Sequence, residues 1–531
     1  MRRPNILFAF ADDWGRYASA YAAHHGQRSL SALIDTPHFD RVAGEGVLFT
    51  NALVPAPSCT PCRSSILSGR YFWQTGLGAI LQGAVWDRAI PSYPFLLRDA
   101  GYHIGFSYKV WSPGTPQDDP YGGTGTRYQD CGNDFNQFSF RATEWAGEAG
   151  GVEPARQRLC DEVRGNFQSF LADRESDQPF CYWWGPTNTH REWQKGSGKA
   201  LWGLDPEALA GRLPAFLPDV HDVREDVCDY LGECMAVDRG LGVLLGMLEE
   251  MGELDDTLVV VSGDHGIPGV PRGKCNLYDI GCEVALAARL PGTIPGGRVA
   301  DDMVNLMDVA PTFLEVAGGE QPAGMPARSL MDILGSNRSG QVNPERTFAI
   351  TGRERHVATA RDRNLPYPHR SIRTHDFLYI RNFAPERWPM GDPRGLDDPS
   401  AEAPPRAALE HDTRMAYADL DASPTKAWMI ENRAAEGVRD MYALGFGKRP
   451  AEELYDVRND PNHMRNLAGD PAHATQKRAL AERMHAVLRE QGDPRMADGP
   501  CRFEDAPFTD WPCPDEAAEQ RAALVRRTVG A

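Results

Sequence analysis

Short apolar runs recur along the first three hundred residues, each closed by polar or small residues, with amphipathic stretches between them. The run Asn5–Ala11 carries no charge and stops at Asp12-Asp13, as a strand buried on both faces does. Residues 47–52, 101–108, 179–184 and 258–262 read as further strands, the last stopped by Gly263-Asp264-His265-Gly266. Residues 36–44 (opening near Pro37), 59–69 and 94–99 read as short helices. Residues 223–251 read as a long helix, with apolar positions three and four apart. Alternation of this kind predicts an α/β fold, a mostly parallel sheet between helix layers with ligands at the carboxyl ends of its strands.

The pattern changes after about residue 370. A strand at 377–382, a Pro-, Gly- and Asp-rich stretch at 384–405, Leu454-Tyr455-Asp456 and a helix at 475–491 predict a smaller α+β unit. The tail from Gly492 is polar and is expected to wrap the surface. The division expected is a domain of residues 1–370 followed by a smaller subdomain of residues 371–531.

Composition narrows the function. The chain has 531 residues, 41% hydrophobic and 24% charged, as an ordinary globular protein has. Its 74 acidic residues exceed 56 Lys and Arg, and the net charge of −18 argues against nucleic acid, which is held by neutralising phosphates. Any anion bound here must meet a local cluster of cations. No apolar run approaches the ~20 residues that span a bilayer. The basic start Met1-Arg2-Arg3 leads into an apolar stretch too short for a secretory leader, so cytoplasmic residence is the expectation. Eleven cysteines, scattered and with a single CxxC pair at Cys59 and Cys62, fit a reducing compartment better than a disulfide framework or a structural zinc site.

Candidate chemistry gathers at the strand ends. Asp12, Asp13 and Asp264 with His265 offer three carboxylates and an imidazole to one divalent cation, and oxygen-rich sets suit Ca²⁺ or Mg²⁺. Each pair alone reads more readily as a cap or turn. In Ser58-Cys59-Thr60-Pro61-Cys62-Arg63, a cysteine opens a helix whose dipole favours the thiolate, so a reactive thiol and a merely buried one both remain open.

The spacing Cys59-x-Pro61-x-Arg63 followed by Leu67-x-Gly69-Arg70 resembles the sulfatase motif in which the cysteine is converted to formylglycine. Pro4-Asn5-Ile6-Leu7 leading to Asp12-Asp13, and Thr36-Pro37-His38-Phe39-Asp40, resemble the opening of a type I sulfatase. Thr189-His190-Arg191, residues 213–219, Gly266-Ile267-Pro268 with residues 274–278, and residues 453–460 are most similar to the sulfamidase branch, which removes N-linked sulfate from heparan-type sugars. The resemblance implies an alkaline phosphatase-like fold and hydrolysis of an O-sulfate ester or N-sulfamate on a small or carbohydrate substrate. It also implies a formylglycine-generating enzyme as maturation partner.

Carried over residue by residue, the resemblance makes Cys59 the formylglycine, whose hydrated form attacks with one oxygen and later expels sulfate with the other. Asp12, Asp13, Asp264 and His265, together with the converted Cys59, hold the metal, expected to be Ca²⁺ or else Mg²⁺ or Mn²⁺. Arg63 orients the formylglycine, Lys109 and Lys274 bind sulfate oxygens, and His190 protonates the leaving oxygen or nitrogen. Two positions depart from the family pattern: Cys62 replaces a Ser or Ala, and Trp111 stands where Lys-x-His often places an imidazole. His356 or His103 is then the candidate replacement, and Arg353, Arg355, His356 and His369 are candidate sugar contacts. The alternatives are a phosphonate or phosphate ester hydrolase of the same superfamily and an unmatured sulfoglycan-binding protein that keeps the Cys59 thiol.

Overall fold

The computed structural model describes residues 3–26 and 28–509. Its main sheet comprises β1 (Asn5–Ala11), β2 (Val47–Phe49), β3 (His103–Tyr108), β4 (Phe180–Gly185), β5 (Thr257–Gly263), β6 (Leu286–Arg289) and β7 (Arg298–Ala300). The spatial order is β3-β4-β1-β5-β6-β2-β7, parallel throughout except for β6, which runs antiparallel to both neighbours. A loop with no long crossover helix links β5 to β6, and an antiparallel neighbour needs none. The strand expected at 47–52 is two pieces: β2 ends at Phe49, and Ala52–Leu53 pairs instead with Val304–Asn305 in a separate two-stranded ribbon.

Helices cover both faces. They include α1 (Pro37–Glu45), α2 (Cys59–Ser68), α3 (Tyr93–Asp99), α4 (Phe138–Ala146), α5 (Val152–Ala172) and α6 (His221–Glu250). Alternation along β1 explains the layers. Leu7, Ala9 and Ala11 join the core beneath α5 and α6, with Phe167, Leu231 and Leu244, whereas Ile6, Phe8 and Phe10 join a second core with Ile66 and Leu67 of α2. A strand with both faces buried reads as an unbroken apolar run, which is why Asn5–Ala11 has no polar alternation.

The smaller sheet is antiparallel, with β8 (Phe348–Arg353), β9 (His369–Thr374), β10 (Phe377–Asn382) and β11 (Glu452–Asp456) paired in that order. Two of its four strands begin before residue 370. Helix α7 (Pro424–Glu431) lies between its third and fourth strands in sequence, and α8 (Ala474–Glu490) packs Leu480, Met484 and Leu488 against Ile350, Ile372, Tyr379 and Leu454. The tail is held more firmly than its polarity suggests, because Phe503 and Phe508 bury in this core; the part of it beyond residue 509 lies outside the described residues. Every described cysteine is a free thiol. No helix among the described residues is long and apolar enough to cross a membrane.

Candidate active site

Strands β1 and β5 lie side by side with Ala11 opposite Gly263, so Asp12-Asp13 and Asp264-His265 leave the sheet together at its carboxyl edge. A side chain at Gly263 would place its Cβ 2.0 Å from the Trp14 carbonyl oxygen, so glycine is what lets the two loops touch. Asp13 adopts a left-handed conformation (φ 53°) and donates its backbone N–H to Asp264 Oδ1 at 2.7 Å. Helix α2 begins at Cys59, after extended Ser58, and stops where Gly69 turns left-handed (φ 64°). Its first residue is thereby brought to the same edge, with Cys59 Sγ 3.4 Å from His265 Nε2 and 3.9 Å from Asp13 Oδ1.

Three cations meet the three buried carboxylates. Arg63, fully buried, reaches Asp12 Oδ1 through Nη2 and Asp264 Oδ2 through Nε, both at 2.9 Å, and spends Nη1 on the Lys109 and Val110 carbonyls. Lys109 Nζ lies 2.7 Å from Asp12 Oδ2, and Lys274 Nζ lies 2.9 Å from Asp13 Oδ2. Burial alone would raise the pKa of Asp12, but the charges of Lys109 and Arg63 outweigh it and hold it well below the ordinary carboxylate value. At Asp264 burial prevails and the pKa is raised. Burial, followed by the charge of Asp12, lifts the Cys59 thiol well above its ordinary value, and Cys62 behaves likewise. The helix dipole does not win here: each is a protonated thiol, not a ready thiolate.

Asp13, Cys59, Asp264 and His265 form a buried group whose ligand atoms all lie within 4.8 Å of one another. His265 places Nδ1 3.3 Å from the Gly266 carbonyl and Nε2 3.2 Å from Asp13 Oδ1 and 3.6 Å from Asp264 Oδ1, so with the proton on Nδ1 the Nε2 lone pair faces both carboxylates. Lone pairs at that separation repel unless a cation lies among them, so the donor set fits a divalent ion. Asp12 stands beside this group, with its carboxylate turned to Lys109 and Arg63.

His190 approaches from the loop after β4. Its Nδ1 lies 2.6 Å from the Arg191 carbonyl, and its Nε2 faces Asp13 Oδ2 at 3.9 Å. Helix α6 holds this loop in place: Asn188 donates to Glu233, and Arg191 grips Asp226 with two nitrogens at 2.6 and 2.9 Å. Thr189 hydroxyl donates to the Asp12 carbonyl.

Of the two imidazoles offered in place of Lys-x-His, the structure brings up only His356. Its Nδ1 lies 2.8 Å from the hydroxyl of Ser58, next to Cys59, and burial with the charge of Lys274 lowers its pKa to about 3. His103 sits at the opposite end of β3, where Nε2 bonds to the Phe170 carbonyl. Trp111 is core: its indole N–H donates to Ser64 at 2.8 Å and its ring packs on Trp86. Arg353 pairs with Asp419, Arg355 reaches the carbonyls of Gln82 and Thr509, and His369 is buried beside Tyr367. Arg353 and His369 are committed to the interior of the smaller unit, and Arg355 is tied between Thr509 of that unit and Gln82 of the larger one. Sequence reasoning missed Asp421, whose Oδ2 lies 3.4 Å from Lys274 Nζ, and whose pKa is lowered because Lys274 and His190 outweigh its burial. No motif marks it. Glu233 was missed too, although its place on a buried helix face, where a charge costs energy, is a readable signal.

Comparison with known proteins agrees with this geometry. The chain is 25% identical to an ulvan-active sulfatase of Formosa agariphila, over 92% of this chain and 76% of that protein. It is 26% identical to N-sulphoglucosamine sulphohydrolase of Homo sapiens, over 93% and 91% respectively. A solved enzyme bound to its substrate, D-glucosamine-2-N,6-O-disulfate, shares the fold with a TM-score of 0.58 at 20% identity, covering 93% of this chain and all of that one. The phosphonate monoester hydrolase of Agrobacterium radiobacter shares it with a TM-score of 0.59 at 16% identity, covering 92% and 96%. Residues 272–400 match the C-terminal region of N-sulphoglucosamine sulphohydrolases. Residues 4–319, which hold every residue of the buried charge cluster except Asp421, match the sulfatase family, and the chain belongs to it.

Proposed function

We propose that this sulfatase hydrolyses a sulfate ester or N-sulfamate on a sulfated sugar, with Cys59 matured to formylglycine and a divalent cation held by Asp12, Asp13, Asp264 and His265. The observation that carries this reading is the charge balance around Cys59. With Asp421 counted, four carboxylates face three cations, so a divalent ion would leave a surplus of one positive charge, which the single charge of a bound sulfate ester or sulfamate offsets. The ion, best supplied by Ca²⁺, Mg²⁺ or Mn²⁺ for so many oxygens, polarises the nucleophile and a sulfate oxygen when bound. A sulfur ligand suits a hard, oxygen-seeking ion poorly, whereas the hydrated aldehyde of formylglycine would supply hydroxyl oxygens for both ligation and attack.

The remaining roles belong to the chain itself. Arg63 fixes Asp12 and Asp264 and keeps two carboxylates from repelling each other. Lys109 and Lys274, now paired to aspartates, stand ready to share their charge with sulfate oxygens. His190 passes a proton from Nε2 to the departing oxygen or nitrogen as its bond to sulfur breaks. In the proposed division residues 1–370 carry this chemistry, and Asp421 of the smaller unit reaches Lys274 from outside it. Relatives named for ulvan and N-sulphoglucosamine support a sugar substrate. The test is a parallel assay of matured protein on sulfamate, sulfate ester and phosphonate ester substrates, with the mass of the Cys59 peptide recorded on the same sample. Preferred turnover of phosphonates, or full activity with an intact thiol at Cys59, would overturn the proposal.

A further inference from the structure

His190 also lines a cleft of about 520 Å³, the size class that encloses small-molecule ligands. Asn133, Asn136, Gln137, Phe140 and Glu192 line it together with His190. His190 belongs to both places: Nε2 lies 3.9 Å from Asp13 Oδ2, and the same residue lines the cleft, which puts the cleft beside the group that delivers the proton. Phe140 is 37% exposed, one of two large apolar side chains that exposed among the described residues. The Gln137 amide makes no hydrogen bond among the described residues. Asn136 is committed: it accepts from the Thr187 N–H at 2.8 Å and donates to Asn133 Oδ1 at 2.6 Å. An amide free to bond and a bare aromatic face suit a ring with hydroxyls on its rim and C–H bonds on its face.

The cleft is also poor in positive charge. Arg191 is the one arginine or lysine lining it, and its guanidinium is spent on Asp226 and the Pro268 carbonyl. Glu192 adds a carboxylate, paired only with the exposed His411 at 2.9 Å. A second sulfate or a uronate on the departing ring would therefore find no countercharge, and the chain's net charge of −18 opposes polyanions further. We propose that this cleft is the leaving-group subsite and that it takes a sugar ring bearing no anionic group besides the sulfate being removed. The proposal deepens the sulfatase reading and rests on it.

Formylglycine-bearing protein is assayed on 4-nitrophenyl sulfate, which reports the chemistry, while sugars compete for the cleft. Glucosamine N-sulfate and N-acetylglucosamine 6-sulfate should inhibit at concentrations about tenfold or more below those needed for glucosamine N,6-O-disulfate. Phe140→Ala should weaken the monosulfated sugars by about tenfold, and Gln137→Arg should narrow or reverse the preference over the disulfate. Tighter binding of the disulfate by the wild type would overturn the subsite, as would unchanged inhibition in both variants. If the aryl sulfate is not turned over, the sulfatase reading fails separately. Calorimetric titration with the same sugars then decides the cleft: the same order of affinities upholds it, and its absence removes it.

Discussion

Glu233 is 2% exposed on α6, where its two oxygens accept from the Ser139 N–H at 3.2 Å and the Asn188 amide at 2.8 Å. Burial raises its pKa from 4.5 to about 7, the hydrogen bonds offsetting only part of the cost. The sign follows from proton linkage. Between pH 4.5 and 7 the folded protein keeps a proton that the unfolded chain has released, so stability falls as pH rises across that window. A shift of that size is worth about 3 kcal/mol of stability, fully present below pH 4.5 and lost once pH rises above 7. Glu233→Gln removes the ionisation. It also turns one acceptor into a donor, at a pH-independent cost of about 1–3 kcal/mol. Asp229, one turn earlier and also raised to about 7, titrates in both proteins, so the difference between them isolates Glu233. Urea unfolding followed by tryptophan fluorescence should show the variant gaining about 3 kcal/mol on the wild type between pH 4 and pH 8. Curves that run parallel across that range would refute the argument, because they would mean that Glu233 is ionised at no cost in the fold.

Three further outcomes follow from the site. Cys59→Ala should abolish turnover, whereas Cys62→Ser, able to keep its bond to the Asp264 carbonyl at 3.0 Å, should retain it; an aldehyde found by mass spectrometry at residue 62 would reverse that assignment. Exhaustive chelation should remove activity, with recovery on adding a divalent cation, and Asp264→Ala should not recover; undiminished rates after chelation would dismiss the metal. His190→Ala should cost about 10²–10⁴-fold on an alkyl sulfate or sulfamate and far less on an aryl sulfate, whose leaving group needs little protonation; equal losses on the two would take the acid role from His190.

The sequence by itself determined the parts of this protein whose signal is local. Asn5–Ala11 and Thr257–Gly263 are apolar runs bounded by charge, and the structure places both in the main sheet. The Cys59–Arg63 spacing identifies the family because its pattern lies within a few consecutive residues. Other local signals went unread: Val152–Ala172 is a helix whose apolar positions Ala155, Leu159, Val163 and Phe167 recur four apart, in the middle of a polar stretch. Strands β8 and β9 belong to pairings set by register with distant partners, and the antiparallel placement of β6 depends on which edge its loop can reach. Only the tertiary structure decided which charges meet. Asp421 joins Lys274 from 147 positions further along the chain, His356 comes to Ser58 while His103 does not, and Arg353 and His369 turn inward. Hydrophobic periodicity states which face of a strand or helix is buried, since that depends on neighbours a few residues away. Electrostatic balance in a buried site depends on distances of 3–4 Å between side chains from separate loops, and the packing of the whole sheet sets those distances.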